Sequence, residues 1–314
     1  MKKNVSKKSR IKFPAYEPWI SNEDKKIVYE TLKQNMLTLG PKLEKFESDF
    51  CKYSKAKYAV AVSNCTAALH LSLMALGIGK GDEVIIPDLT FVADANAVLA
   101  CNAKPILTDI NKEDFFLSIS NIKKNITKKT KAIIPVHIYG QVCNIDEILD
   151  VAKDNNLKVI EDCAHAVGTF HKSKHAGTMG STGCFSFYPT KNITTAEGGM
   201  VITNSKSIAE KVRQLRSHGM TRSLKSRYSS GYPWVFDILE PGYNYRLDEI
   251  RASLGISQLR RIKKINELRK KASTYYNKNL QDIPGIILPD IVNDRSHSYH
   301  LYTIRVTKDF KLSR

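Results

Sequence analysis

Apolar runs of strand length alternate with amphipathic stretches between residues 58 and 203 of the chain. The predicted strands lie at 58–63, 83–87, 105–109, 132–139, 158–162, 184–188 and 200–203. Helical patterns fall between the first five strands, at 66–76, 94–102, 118–126 and 144–155. Apolar strands separated by helices are typical of a parallel sheet that is covered by helices on both faces. The pattern therefore predicts an α/β fold built on a seven-stranded, mostly parallel sheet.

The segments around this alternation predict the remaining elements. The link 196–199 is too short for a helical crossover, so we expect the last strand to run antiparallel to the one before it. Two helices are predicted before the first strand, at 21–35 and 42–54, and one long or broken helix at 247–280. Short strand-like pieces follow, including 301–306. These pieces indicate a smaller α+β part after the sheet.

The same pattern divides the chain into three parts. Residues 1–12 are predicted to be a basic tail and residues 13–250 a large domain that contains the sheet. Residues 251–314 are predicted to be a linking helix and part of a C-terminal small domain. Because no element is left to complete a second sheet before Arg314, we expect the sequence to be shorter than a complete functional protein.

The composition is that of an ordinary globular protein, since 42% of its 314 residues are hydrophobic and 25% are charged. No apolar run approaches the roughly 20 residues that a transmembrane helix needs. The N-terminal MKKNVSKKSRIK is basic but lacks the apolar core of a secretory signal, so a cytoplasmic location is expected. The six cysteines are scattered without a CxxC pair, which argues against a zinc site or a disulfide framework.

A net charge of +18 makes nucleic acid a partner to consider. The lysines, however, are spread over several clusters, and none of these clusters is interleaved with aromatic residues as in a single-strand binding surface. A substrate that carries a pyrophosphate would suit the same charge. Nucleic acid is therefore the less favoured partner.

One lysine stands apart from the basic clusters. Lys191 lies in the run STGCFSFYPTKNITTAEGGM, whose only other charged residue is Glu197. A lysine that is partly shielded from water has a lowered pKa and can act as an amine nucleophile toward a carbonyl. A surface lysine in a loop after a strand is the alternative that this stretch leaves open.

Two other strand ends carry suitable chemistry, because ligands of parallel α/β sheets sit at the carboxyl ends of the strands. Residues 63–68, SNCTAA, start a helix whose backbone N–H groups and hydroxyls suit a phosphate, unless they only cap the helix. Asp162 ends a buried strand and needs a cationic partner such as a protonated pyridine nitrogen, unless it also caps a helix. Phe91 follows another strand end and is either a ring-stacking residue or an ordinary core aromatic. Together with Lys191, these are the parts that pyridoxal 5′-phosphate requires.

Longer motifs point the same way. They are SNCTAALHLSLMALGIGKGDEVIIPDLTFVADANAV, PVHIYGQ, VIEDCAHAVGT, GCFSFYPTKNITTAEGGMVITN, RSHGM and GYNYRLDEIRASLGISQL. In this set and order, the chain resembles the pyridoxal-phosphate sugar-nucleotide aminotransferases of the DegT/DnrJ/StrS type. The resemblance implies the fold-type I aminotransferase architecture and a homodimer with shared active sites.

The resemblance also implies a role for individual residues. Lys191 would form the Schiff base with the cofactor and shuttle protons, and Asp162 would pair with the pyridine nitrogen. His165 would bond the phenolic oxygen, and Phe91 would stack on the ring. The phosphate would be held by Thr66, Ala67 and Ser186, and by Asn244 of the neighbouring subunit. His300 resembles a family histidine near the sugar substrate.

Two positions depart from the family pattern. Cys65 stands where many members have glycine, a change between small residues that we expect to be harmless. Asp94 stands where threonine or serine is usual, and we expect it to alter contacts near the sugar.

The expected activity is transfer of an amino group from glutamate to a nucleotide-linked keto-sugar, for surface polysaccharide or glycan precursor synthesis. One alternative is a sugar-nucleotide dehydratase on the same scaffold, although such relatives carry histidine where Lys191 stands. The other is a non-catalytic regulatory homologue.

Overall fold

One seven-stranded sheet dominates the computed structural model, which describes residues 17–221, 234–292 and 294–310. The sheet consists of β1 Tyr58–Val62, β2 Glu83–Pro87, β3 Lys104–Thr108, β4 Thr130–Ile133, β5 Lys158–Asp162, β8 Thr182–Ser186 and β9 Gly199–Thr203. Their spatial order is β1-β9-β8-β5-β4-β2-β3. A small separate hairpin is formed by β6 Phe170–His171 and β7 Lys174–His175.

The strand directions confirm the predicted fold class. All neighbouring pairs are parallel except those of β9, which runs antiparallel to both β1 and β8. The prediction for the last strand is thereby confirmed. The carboxyl ends of the six parallel strands consequently meet at one edge of the sheet.

The strand predicted at 132–139 is too long. β4 ends at Ile133, because Pro135 has no N–H to donate to a strand ladder. Val136 forms only an isolated bridge with Asp162. The chain then enters a single 3₁₀ turn in which Tyr139 adopts a left-handed conformation with φ 59°.

Helices cover the sheet. They are α1 Asn22–Leu32, α2 Pro41–Ser54, α3 Cys65–Ala75, α4 Ala93–Ala100, α5 Ile119–Asn125, α6 Ile145–Asp154, α7 Lys206–Leu215, α8 Glu249–Arg260 and α9 Ile262–Leu280. Every predicted helix is present, and the one predicted at 247–280 is broken at Arg261. The sequence analysis missed α7, although Ile208, Val212 and Leu215 recur at helical spacing and the Ser205 hydroxyl caps the first turn.

The core has two layers, one on each face of the sheet. Ala59, Ala61 and Ile85 pack into one buried cluster, whereas Val60 and Val62 pack into the other. This separation follows from the two-residue repeat of a strand, which sends successive side chains to opposite faces. Both faces of these continuously apolar strands are therefore buried.

Glu249 joins the start of α8 to the start of α2. Its fully buried carboxylate accepts hydrogen bonds from the backbone N–H groups of Gly40, Lys42 and Leu43 at 2.9, 2.7 and 3.0 Å. An anion at a helix N-terminus is favoured by the unpaired N–H groups and by the helix dipole. The contact fixes two helices that are far apart in the sequence.

Replacing Glu249 with glutamine is expected to lower the free energy of unfolding by about 2–3 kcal/mol, because the amide loses the charge and one acceptor oxygen. Urea denaturation measures the change. The matched control is Glu113→Gln, which alters an exposed carboxylate. Equal stability of the two variants would contradict the anchoring role.

The residues after α8 are less regular. Two short antiparallel strands, β10 Ile286–Ile287 and β11 Arg305–Val306, form a two-stranded sheet, so only the end of the predicted 301–306 strand is regular. The division at residue 250 stays a prediction. Within the described residues, none of the helices is long and apolar enough to span a lipid bilayer.

Candidate active site

A cavity of about 1250 Å³ opens at the carboxyl ends of β1, β2, β5 and β8. On its far side it is closed by α9 and by the segment around residue 300. Seven of the predicted site residues line it: Thr66, Phe91, Asp162, His165, Ser186, Lys191 and His300. The fold thus brings together side chains that the sequence places on separate loops.

Lys191 enters the cavity from the loop after β8. Its backbone N–H donates to the Tyr188 carbonyl at 2.9 Å, which fixes the turn that carries the side chain. Burial lowers the pKa of the Lys191 amine, and the neighbouring Asp162 carboxylate only partly offsets this effect. In the described parts of the chain, its Nζ has no hydrogen bond or ion pair. The amine is consequently easier to deprotonate than that of an exposed lysine.

Asp162 is the last residue of β5 and has an exposed fraction of only 6%. Its Oδ1 accepts a hydrogen bond from the Ala164 N–H at 2.8 Å. Burial raises the pKa of the Asp162 carboxyl, whereas the Ala164 N–H and the Lys191 ammonium favour its ionised form. A carboxylate in this position suits a cationic ligand atom in the cavity.

Glu161 faces away from the cavity and organises the turn after β7. It accepts hydrogen bonds from the N–H groups of Gly177, Met179 and Gly180 at 2.6–2.8 Å and contacts His137 Nε2 at 2.9 Å. Burial alone would raise the pKa of Glu161, but these donors lower it. The sequence analysis missed this role, although strand alternation requires adjacent side chains to face opposite sides.

His165 is held in one tautomer by the backbone. Its Nδ1 accepts from the Tyr139 N–H at 3.1 Å, and the left-handed Tyr139 conformation aims that N–H at the ring. Burial lowers the pKa of His165 to about 3, so the ring is neutral and Nε2 carries its proton. The His300 ring lies beside it, with the two ring centroids 4.3 Å apart, and burial lowers its pKa to about 2. Two neutral imidazoles therefore form one wall of the cavity.

The start of α3 is the predicted phosphate site. Thr66 is exposed and lines the cavity, as does the Ser186 hydroxyl from the end of β8. Ala67 is buried and does not line it, and its N–H donates to the Asn64 side chain at 2.8 Å, which caps the helix. Gly199 packs so closely on this turn that a Cβ atom there would lie 2.4 Å from the Asn64 carbonyl oxygen. A larger residue at 199 would displace the start of α3.

Asn192, next to Lys191, was missed by the sequence analysis. Its Nδ2 donates to the Ser298 carbonyl and to Asn266 Oδ1, both at 2.8 Å. These bonds tie the lysine loop to α9 and to the segment near His300. An amide side chain directly after a candidate catalytic lysine is the sequence signal that would have indicated such a contact, because a buried amide needs hydrogen-bond partners.

Besides Ala67, three predicted residues lie outside this arrangement or at its edge. Phe91 is at the rim, with an exposed fraction of 74%. Asn244 is exposed, forms a bridge with Ser217 and does not line the cavity of its own chain. Asp94 is fully buried and does not line the cavity either, and the expectation that it alters contacts near the sugar stays a prediction. The first turn of α4 directs it inward, behind Asp162.

The sequence and the fold were compared with known proteins. Residues 18–314 match the DegT/DnrJ/EryC1/StrS aminotransferase family. The spore coat polysaccharide biosynthesis protein SpsC of Bacillus subtilis is 42% identical over 289 residues, which cover 92% of this chain and 74% of SpsC.

Two solved structures are similar throughout. DesV of S. venezuelae, described in complex with a ketimine intermediate, is 33% identical with a TM-score of 0.85, covering 91% of this chain and 74% of DesV. The putative sugar aminotransferase Spr1654 of Streptococcus pneumoniae, in its PMP form, is 30% identical with a TM-score of 0.89, covering 94% and 79% of the two chains. The chain therefore belongs to the DegT/DnrJ/EryC1/StrS aminotransferase family and is a pyridoxal-phosphate-dependent aminotransferase.

Proposed function

We propose that this protein transfers the amino group of glutamate to the keto group of a nucleotide-linked sugar, with pyridoxal 5′-phosphate bound in the cavity described above. The observation that carries the proposal is the convergence of the Lys191 amine, the Asp162 carboxylate and the start of α3 on one cavity. The Lys191 amine suits the aldehyde of the cofactor, the Asp162 carboxylate suits its basic ring nitrogen, and the start of α3 suits its phosphate. The residues present therefore fit the cofactor.

Each residue has a distinct task in this proposal. The cofactor supplies an aldehyde for the Schiff base and a ring that takes up electrons. Lys191 would hold the aldehyde end of the cofactor and would move a proton as general base and then as general acid, for which its lowered pKa is suitable. The Asp162 carboxylate would hold the ring nitrogen in its protonated form. His165 would donate a hydrogen bond from Nε2 to the phenolic oxygen.

The phosphate is assigned to the Thr66 and Ser186 hydroxyls and to the positive end of the α3 dipole. Ala67 contributes through the backbone of the same turn only if its N–H leaves Asn64. Phe91 remains the proposed stacking residue at the rim. These assignments leave the His300 side of the cavity for the substrate.

The size and charge of the cavity region support a large anionic substrate. Its volume of about 1250 Å³ exceeds the 300–1,000 Å³ of a typical small-molecule site, which leaves room for a substrate beside the cofactor. Arg269 lines the same side and donates to the carbonyls of Tyr299 and His300 at 3.0 Å. A net charge of +18 would also attract a pyrophosphate. SpsC, by its name, acts in polysaccharide biosynthesis, which supports a similar pathway for this chain.

A homodimer and a cytoplasmic location are part of the proposal. Asn244 is exposed away from its own cavity, as expected of a residue that reaches a neighbouring subunit's phosphate. The apolar side chains of Phe91 and Val92 are also exposed at the rim, where a second copy would cover them. The six cysteines are free, as in proteins of a reducing compartment. Sedimentation equilibrium tests the dimer.

The deciding experiment incubates the protein with pyridoxal phosphate, glutamate and a panel of keto-deoxy sugar nucleotides. Mass spectrometry is expected to find one aminated sugar nucleotide, with 2-oxoglutarate formed in equal amount. A product that has lost a hydroxyl, without 2-oxoglutarate, would instead identify a dehydratase. Cofactor binding without turnover on the whole panel would favour a non-catalytic homologue.

A further inference from the structure

Two buried carboxyl groups meet behind the cavity. Asp94, in the first turn of α4, is 0% exposed, and its carboxyl lies next to that of Asp162, which is 6% exposed. Oδ2 of Asp94 accepts from the Thr90 hydroxyl at 2.6 Å. In the described residues, Oδ1 of Asp94 receives no hydrogen bond from any N–H or hydroxyl group. Two buried carboxyl groups next to each other are unfavourable as two anions, and a proton on one of them lets that group donate a hydrogen bond to the other.

Among the residues that the structure describes, no cation compensates this pair from the side of Asp94. The other titratable groups around Asp94 are the thiols of Cys65 at the start of α3 and Cys184 on β8. Burial raises the pKa of both thiols, so they are neutral near pH 7. Lys191 and His137 lower the pKa of Asp162 through their charge. If both carboxyls were ionised, two adjacent anions would have only the cations near Asp162 to balance their charge.

The surroundings decide which carboxyl keeps the proton. Asp162 receives the Ala164 N–H and faces the Lys191 amine, and both stabilise its anion. Asp94 receives only the Thr90 hydroxyl and the weak field of a short helix. Burial and the charge of Asp162 raise the pKa of Asp94 well above its ordinary value.

We propose that Asp94 is held as a neutral carboxylic acid that donates a hydrogen bond to Asp162 and so keeps Asp162 as the anion facing the cavity. Asp94 is a positioning residue, since it does not reach the cavity itself. Its importance for catalysis rests on the proposed function, in which Asp162 meets the ring nitrogen. The protonation of the pair can be measured without cofactor or substrate.

The first test is the pH dependence of unfolding in the cofactor-free, 314-residue chain. A raised pKa in the folded state means that the native protein keeps a proton that the unfolded chain releases above the ordinary carboxyl pKa. Stability therefore falls as pH rises from that value to the raised pKa, and Asp94→Asn removes this loss. We expect the unfolding equilibrium constant of the wild type, relative to Asp94→Asn, to increase about tenfold per pH unit in this window.

Asp88→Asn, at an exposed position after β2, is the matched control and should parallel the wild type. Parallel curves for the wild type and Asp94→Asn would overturn the proposal. If Asp94→Asn does not fold, infrared spectroscopy of the wild type labelled with ¹³C-aspartate decides. A protonated-carboxyl C=O band that persists at pH 8 supports the neutral acid, and its absence refutes it. A lack of aminotransferase turnover would overturn the proposed function and leave both results valid.

Discussion

Lys191→Ala is expected to abolish transamination, with turnover reduced by at least roughly 10²–10⁴-fold, the range that follows from losing a general acid–base alone. Alanine can neither form the Schiff base nor move a proton. Turnover is measured as 2-oxoglutarate formed from glutamate in the presence of the accepted sugar nucleotide. The visible absorbance of the bound cofactor should change as well, because the covalent link is missing.

Lys206→Ala is a suitable control for this variant, since Lys206 is a surface lysine whose side chain is 74% exposed. It removes the same charge and should leave turnover unchanged. Residual activity of Lys191→Ala within tenfold of the wild type would show that the amine is not the reactive group.

Asp162→Asn is expected to lower turnover by about 10³-fold. The amide keeps the shape and can still accept from the Ala164 N–H, but it loses the charge opposite the ring nitrogen. A charge pair at about 4 Å contributes about 4 kcal/mol at an effective dielectric constant near 20, which corresponds to about 10³-fold in rate. The measurement is turnover at saturating glutamate and sugar nucleotide.

Asp162→Asn should differ from Lys191→Ala in one respect. The lysine is intact, so the absorbance of the Schiff base should remain while turnover falls. Asp88→Asn, which alters an exposed carboxylate, serves as control. Turnover within threefold of the wild type would contradict a role for the Asp162 charge.

Local patterns were sufficient where a single segment carries the signal. The strands at 83–87 and 158–162 were predicted with their observed bounds, because their apolar runs are bounded by turn residues. The strand at 132–139 was overextended because apolar character continues past Pro135 while the strand ladder does not. Helix α7 was missed although its apolar spacing is regular, so the sequence did contain the signal that predicts it.

The candidate site was predictable to a similar extent. Lys191, Asp162, Thr66, Ser186 and His165 line one cavity because the carboxyl ends of parallel strands meet at one edge. The environment of each side chain could not be predicted in the same way. Exposure and hydrogen bonding depend on segments that pack from elsewhere, as the Asn192 amide, bonded to Asn266 and to the Ser298 carbonyl, demonstrates.

The sequence by itself determined the class of fold, the order of its strands along the chain, the carboxylate that ends one strand and the lysine in the loop after another. Periodicity and strand-end chemistry are local properties, and they can be recognised without knowing which residues are neighbours in space. Only the tertiary structure decided that Glu249 anchors a helix start 206 to 209 residues away. It also placed Asp94 against Asp162, behind the cavity. Both outcomes depend on which distant groups share a buried space, where an unpaired charge or donor is costly, and no local pattern records that pairing.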